Sequence, residues 1–214
     1  MKNNRTEIIF ILDRSGSMSG LESDTIGGFN AMLKKQQKLE GEAVVTTVLF
    51  DDKYELLHDR FDLQHIRPLT EDEYYVVGST ALLDAVGKTI NKIVNVQRHT
   101  SHANRADKVL FVIITDGLEN ASREFSANQV KKMIELEKES YGWEFIFLGA
   151  NIDAVETARS YGIDSDRAVN YHADAVGTMA NYASVSEAIG ELRSSNKISR
   201  QWKKKAEADY KKRK

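Results

Sequence analysis

Four stretches of the chain are apolar almost without interruption: Glu7 to Leu12, Ala43 to Phe50, Lys108 to Thr115 and Trp143 to Leu148. Ile8 to Leu12 and Val109 to Ile114 are continuous runs, not alternating ones. A strand reads this way when helices cover both faces of a parallel sheet. A buried helix of that length would read alike. The β-branched content, and the Asp-Arg-Ser-Gly and Asp-Gly that end two of the runs, favour strands. Between the runs, apolar residues recur at spacings of three and four. Leu21 through Leu39 carries Ile26, Phe29 and Leu33, and Ala81 through Val96 carries Leu82, Val86, Ile90 and Ile93. Val130, Met133 and Ile134 outline a third helix that Tyr141-Gly142 stops. A short helix over Ile152 to Tyr161 and a longer one over about Asp174 to Leu192 follow, with Ala168 to Tyr171 as a short edge strand between them. Only Asp51-Asp52-Lys53 separates Val44–Phe50 from Tyr54–His58, too little chain for a helical crossover, so this pair predicts a hairpin. The expected fold is α/β and Rossmann-like: a mostly parallel sheet of about six strands, one edge strand antiparallel, with helices on both faces.

The 214 residues fit one domain of ordinary size. Charge divides the chain unevenly. Of its 30 basic and 32 acidic residues, 10 and 2 fall from Arg193 onward, leaving an acidic body of 20 against 30. We therefore expect a domain over residues 1–192 and a basic extension over 193–214. The chain has no cysteine, which excludes disulfides, thiolate metal sites and cysteine nucleophiles. The apolar run near the start is short for a signal peptide and Asp13 interrupts it; no stretch approaches a membrane span. Cytoplasmic residence is the default expectation.

Candidate chemistry collects where the predicted strands end. Asp13-Arg14-Ser15-Gly16-Ser17 follows the first strand, Gly78-Ser79-Thr80 precedes the second long helix, and Asp116-Gly117 ends a later strand. Ligands of open α/β sheets bind outside the carboxyl ends of the strands. If the strands carrying Asp13 and Asp116 are neighbours, about 4.8 Å apart, both carboxylates reach one ion. Asp13, Ser15, Ser17, Thr80 and Asp116 offer only oxygen. Such a set suits Mg²⁺ or Mn²⁺, with Ca²⁺ as a further alternative, over zinc or copper. Two protein charges and five donors leave at least one of six positions for water or an outside ligand.

This constellation resembles the metal-ion-dependent adhesion site (MIDAS) of the von Willebrand factor A (vWA) family. Asp13, Ser15 and Ser17 match its Asp-x-Ser-x-Ser motif, Thr80 its threonine, and Asp116 its later aspartate in Thr-Asp-Gly. The likeness spans roughly Arg5 to Leu192 and is greatest to small stand-alone vWA proteins of bacteria and their phages. It implies that the hydroxyls touch the metal, that the aspartates often act through water, and that a partner protein supplies an Asp or Glu carboxylate. Met18, Leu21, Tyr74, Tyr75, Leu118, Glu119, Asn120 and Phe125 are candidates for the surrounding interface.

Other readings compete. Each segment alone is an ordinary turn, and Thr80 alone reads as a helix cap. Asp84 either holds a hydroxyl or a loop N–H beside the site or faces solvent. His99 and His102 lie beyond the Ala81–Val96 helix, far from the site, and read as solvated loop residues. A phosphoryl-transfer enzyme of Rossmann-like fold, such as the haloacid-dehalogenase-like phosphatases, also keeps an aspartate after its first strand. Such an enzyme wants a second acid at the position of Ser15 and a cation near the phosphoryl group, where Arg14 points away. A non-enzymatic module is the better expectation. In the tail, Ile198, Trp202, Ala206 and Tyr210 recur every four residues among lysines. That pattern allows binding to nucleic acid or an anionic surface, but a solvated extension or a lid on the acidic body is favoured.

Overall fold

A computed structural model describes residues 4–213. Six strands form one sheet in the order β3-β2-β1-β4-β5-β6. They are β1 (Thr6–Asp13), β2 (Ala43–Phe50), β3 (Tyr54–Asp62), β4 (Lys108–Thr115), β5 (Glu144–Gly149) and β6 (Ala168–Asn170). All neighbours are parallel except β2 and β3, the hairpin at one edge. Among the described residues six α-helices accompany them: α1 (Glu22–Gln36), α2 (Leu82–His99), α3 (Ala127–Tyr141), α4 (Ala154–Ser160), α5 (Ala175–Ser195) and α6 (Lys204–Lys212). The expected mostly parallel sheet with helices on both faces is what the chain forms.

The continuous apolar runs are explained by two cores. Ile8, Phe10 and Leu12 of β1 face one core with α1 and α5; Ile9 and Ile11 face the other with α2 and α3. β4 divides likewise, Leu110, Val112 and Ile114 against Val109, Phe111 and Ile113. A strand covered on both sides has no polar face to show, so its pattern loses the period of two. β1 lies between β2 and β4, where the order of connection reverses. That reversal opens the crevice at the carboxyl ends of β1 and β4, between Asp13 and Asp116.

Of the two expectations for the tail, it is the docked one that the structure shows, not the solvated one. The proposed boundary after Leu192 falls inside α5, and the residues beyond it pack on the body. Trp202 is fully buried, Ile198 and Ala206 nearly so. Trp202 Nε1 donates to the Asp166 carbonyl at 2.9 Å, and Lys203 Nζ donates to the carbonyls of Ser165 and Ala168, both at 2.8 Å. Arg213 pairs with Asp174 and Asp209. The period-four apolar residues face α5 and β6, and burying them outweighs the solvation of the intervening lysines, whose stems stay long enough to reach water or carbonyl groups. α2 also runs three residues beyond its pattern, so His99 ends the helix, its Nδ1 within 2.8 Å of the Asn95 carbonyl oxygen. At 18 residues α2 spans about 27 Å, so its last turn lies far from the site.

Candidate metal site

β1 and β4 are direct neighbours, with Leu12 opposite Ile114. Asp13 ends β1 and Asp116 follows β4, so the two carboxylates emerge at the same end of adjacent strands. Asp13 is held from both sides. Its Oδ1 accepts the Ser15 N–H at 2.7 Å, and its Oδ2 accepts the Thr115 hydroxyl at 2.5 Å. The first of these bonds closes the turn that carries Ser15 and Ser17. The three hydroxyls form a chain: Thr80 Oγ1 donates to Ser15 Oγ at 2.9 Å, and Ser15 Oγ lies 3.1 Å from Ser17 Oγ. Four of the five sequence-predicted residues are thus joined by hydrogen bonds, and Asp116 lies beside Ser17.

Asp116 is different. Both of its carboxylate oxygens are buried without a hydrogen-bond partner among the described residues. Burial raises its pKa, and the nearby Ser17 hydroxyl offsets only part of this. Asp13 is pushed up to about 6, again chiefly by burial, with Asp116 adding repulsion against the stabilising bonds from Thr115 and Ser15. Two buried carboxylates on neighbouring strands cost desolvation that the bonds from Thr115 and Ser15 and the Ser17 hydroxyl repay only in part. Gly117 completes the geometry. A Cβ there would come within 2.8 Å of Ser17 Oγ and 3.1 Å of Thr80 Oγ1, so only glycine leaves these hydroxyls free. Oxygen donors with an orphaned carboxylate fit a hard divalent cation. Among the described residues no three His, Cys, Asp or Glu side chains converge, since here two carboxylates are joined by hydroxyls.

Neighbouring loops brace the site. Arg14 faces away from it, donating to Asp51 at 2.9 Å and pairing with Glu55 at 2.8 Å, with Tyr75 stacked 4.9 Å from its guanidinium carbon. Gly16 N–H donates to the Gly78 carbonyl, and Ala81 N–H to that of Asp51, which joins the first two site segments to the hairpin turn. Gly78 has φ of 74°, and a side chain there would strike Asp52. Thr80 is not the cap of α2. That role falls to the segment after Asp116: Glu119 Oε2 accepts the Leu83 N–H at 2.9 Å and Ser122 Oγ accepts the Asp84 N–H at 3.0 Å. Asp84 returns the contact, accepting the N–H groups of Arg123, Glu124 and Phe125, each at 2.9 Å. These three bonds overcome burial and hold its pKa below the ordinary value. Asp84 thus takes the loop-holding role, not the solvent-facing one.

Several residues were missed or misassigned from sequence. Thr115 and Glu119 were not given these roles, though Thr115 sits in the Thr-Asp-Gly motif. Tyr74, Met18 and Leu21, expected at the surface, are buried. Tyr74 donates its hydroxyl to the Asp13 carbonyl at 2.5 Å, a support under the site. Leu118 and Tyr75 are exposed as expected, 67% and 50%.

A Rossmann-like sheet with an oxygen-rich cluster at its switch point defines the class of protein. Comparison with solved structures makes it more specific: the fold is that of vWA domains. The vWF domain of the type V pilus tip protein Mfa5 of Porphyromonas gingivalis superposes with a TM-score of 0.64 at 11% identity, covering 91% of this chain and 98% of that one. Proximal thread matrix protein 1 of the mussel byssus gives 0.58 at 13% identity, over 88% of this chain and 46% of that one. The mussel protein is also known with zinc in its MIDAS motif. Manganese-loaded TRAP protein of Plasmodium vivax gives 0.53 at 15% identity, over 85% of this chain and 74% of that one. This chain thus spans about half the length of the mussel protein. No family model and no curated protein matches the sequence. The similar structures are named as matrix, pilus and vWA proteins.

The expectation of cytoplasmic residence is corrected by the same comparisons. A byssal thread and a pilus tip lie outside the cell. The earlier expectation rested on leader and membrane-span patterns, and those do not fix a compartment. Among the described residues no helix is long and apolar enough to cross a membrane.

Proposed function

We propose that the chain is a protein-binding module that holds one Mg²⁺ ion, or Mn²⁺ or Ca²⁺ in its place, at Asp13, Ser15, Ser17, Thr80 and Asp116, and that it recognises an Asp or Glu carboxylate of a partner. The observation that carries this reading is Asp116, a buried carboxylate with two unpartnered oxygens beside three linked hydroxyls. A buried acid left so costs several kcal/mol unless a cation or a proton compensates it. The zinc-occupied mussel protein and the manganese-loaded Plasmodium protein support the reading at the level of the fold.

A bound divalent ion supplies an electrophilic position that a carboxylate can fill. The protein's own residues set its character. Asp13 fixes the Ser15 turn, Thr115 orients Asp13, and the hydroxyls add donors without adding charge. An incoming carboxylate therefore meets net attraction. Metal and partner then tighten each other by one common factor. Residues 1–192 form the module in this proposal, with 193–214 as its basic extension, of which the described part braces it.

The test is affinity capture of partners with and without EDTA, with Asp116→Ala as control, alongside calorimetry of Mg²⁺. A partner retained only with metal and lost in the variant is expected. Undiminished capture in EDTA, or equal Mg²⁺ affinity with and without the partner, overturns the reading.

A further inference from the structure

α1 carries its charges at opposite ends. Glu22 and Asp24 lie in its first turn, Lys34 and Lys35 in its last. That order suits the dipole of the helix itself. It also makes one side of α1 complementary to a second copy turned end for end. Asp24, Gly28, Ala31 and Lys35 stand at i, i+4, i+7 and i+11, so they form one seam along the helix. Between its charged ends this seam holds nothing larger than a methyl group. Asp24 and Lys35 enter no ion pair among the described residues.

The seam borders a groove of about 380 Å³ between α1 and α5. Gly27 lines it, and a Cβ there would meet nothing within 4 Å. On the α5 side Met179 stands at the edge with 67% of its surface exposed, and Val176, one turn earlier, is 58% exposed. The Tyr182 ring closes the groove against Gly28. Two exposed apolar side chains beside a groove of glycine and alanine leave apolar surface that packing within the chain does not cover.

We propose that this groove is a self-association surface, through which two copies of the chain pair by antiparallel α1 helices about a twofold axis between Phe29 and Asn30. Asp24 and Lys35, like Gly28 and Ala31, stand symmetrically about that axis. Asp24 of each copy therefore faces Lys35 of the other, and Gly28 faces Ala31. Small residues at the crossing let the helices approach to about 8 Å. A parallel pairing would set acid against acid, so charge selects the antiparallel one. The 15 residues of α1 span about 22 Å, and two helices side by side are about 20 Å wide. Such a contact is at the low end of stable interfaces, which makes the dimer a weak one. The turn carrying Ser15 and Ser17 precedes α1, so the pairing sets the two candidate metal sites at opposite ends of the dimer, more than about 22 Å apart. The pairing itself needs no metal.

Sedimentation equilibrium of the full chain, from about 5 to about 300 μM to cover a weak dimer, tests this in Mg²⁺ and in EDTA. The mass is expected to rise from 24.1 kDa towards twice that value in both buffers. D24K and K35D each turn two attractive pairs into repulsive ones, and each should weaken association about tenfold or more. The double variant D24K/K35D restores opposite charges and should recover it. An equimolar mixture of the two single variants is the sharper arm. One chain then carries two lysines on the seam and the other two aspartates, so mixed dimers should form where neither variant pairs alone. M179E, at an exposed position, should abolish pairing while leaving the circular dichroism unchanged. A chain that stays monomeric at the highest concentration, or association lost in EDTA, overturns the proposal. So do charge reversals without effect, or a mixture no more associated than its components.

Discussion

Gly117→Ala separates a structural from a metal-binding role for the site hydroxyls. The new methyl would stand 2.8 Å from Ser17 Oγ and 3.1 Å from Thr80 Oγ1, against an ordinary contact of about 3.4 Å or more. The crowded atoms are ends of short side chains, and the glycine φ is not in the left-handed region. The metal-free protein can therefore relax by turning a hydroxyl, at about 0.5–1.5 kcal/mol. For a domain of this size that lowers Tm by about 1–6 °C. Turning Ser17 takes its oxygen off the shared centre, so the cost to metal binding is much larger. In the parent, metal at one hundred times its Kd adds about 2.7 kcal/mol, or roughly 5–10 °C in Tm. The variant should lose nearly all of that increment. Differential scanning calorimetry of both proteins with EDTA and with Mg²⁺ measures the two effects independently. A variant that keeps the full metal increment would show that Ser17 and Thr80 are not ligands. One that unfolds without metal would show that the hydroxyls cannot turn as reasoned.

Three further outcomes follow from the geometry. Because burial pushes the Asp13 carboxyl up to about 6, the metal-free native state holds a proton that the unfolded chain gives up near pH 4, so this group's contribution falls as pH rises between those values. The loss is on the order of 3 kcal/mol; Asp13→Asn should flatten that part of the stability–pH curve measured in EDTA, and an unchanged curve would refute the assignment. Asp84→Ala leaves three loop N–H groups without their charged acceptor, and should cost about 2–3 kcal/mol in urea unfolding and speed amide exchange of residues 123–125. Trp202→Ala empties a fully buried site and should cost about 3–5 kcal/mol, whereas a solvated tail would make the same change neutral.

The elements and the site were legible along the chain because their causes are local. Apolar runs such as Ile8 to Leu12 declare a strand covered on both faces, and Asp51 to Lys53 is too short for anything but a hairpin. Four of the five site residues stood in turns directly after strands and Thr80 just before α2, so the topology was enough to bring them to one crevice. What the chain order did not reveal depends on contacts between distant residues. Glu119 and Ser122 cap α2 in place of Thr80, and Asp84 clasps a loop 39 to 41 positions away. Tyr74, read as a surface aromatic, is buried because its hydroxyl finds the Asp13 carbonyl 61 positions earlier. The tail shows the physical reason most plainly. Its ten cations left a solvated extension and a lid on the acidic body both open, since charge is visible in composition, whereas the pocket that swallows Trp202 exists only after β6, α5 and the Asp166 turn have assembled. A side chain's polarity is written in the sequence, but whether it finds a partner is decided by packing.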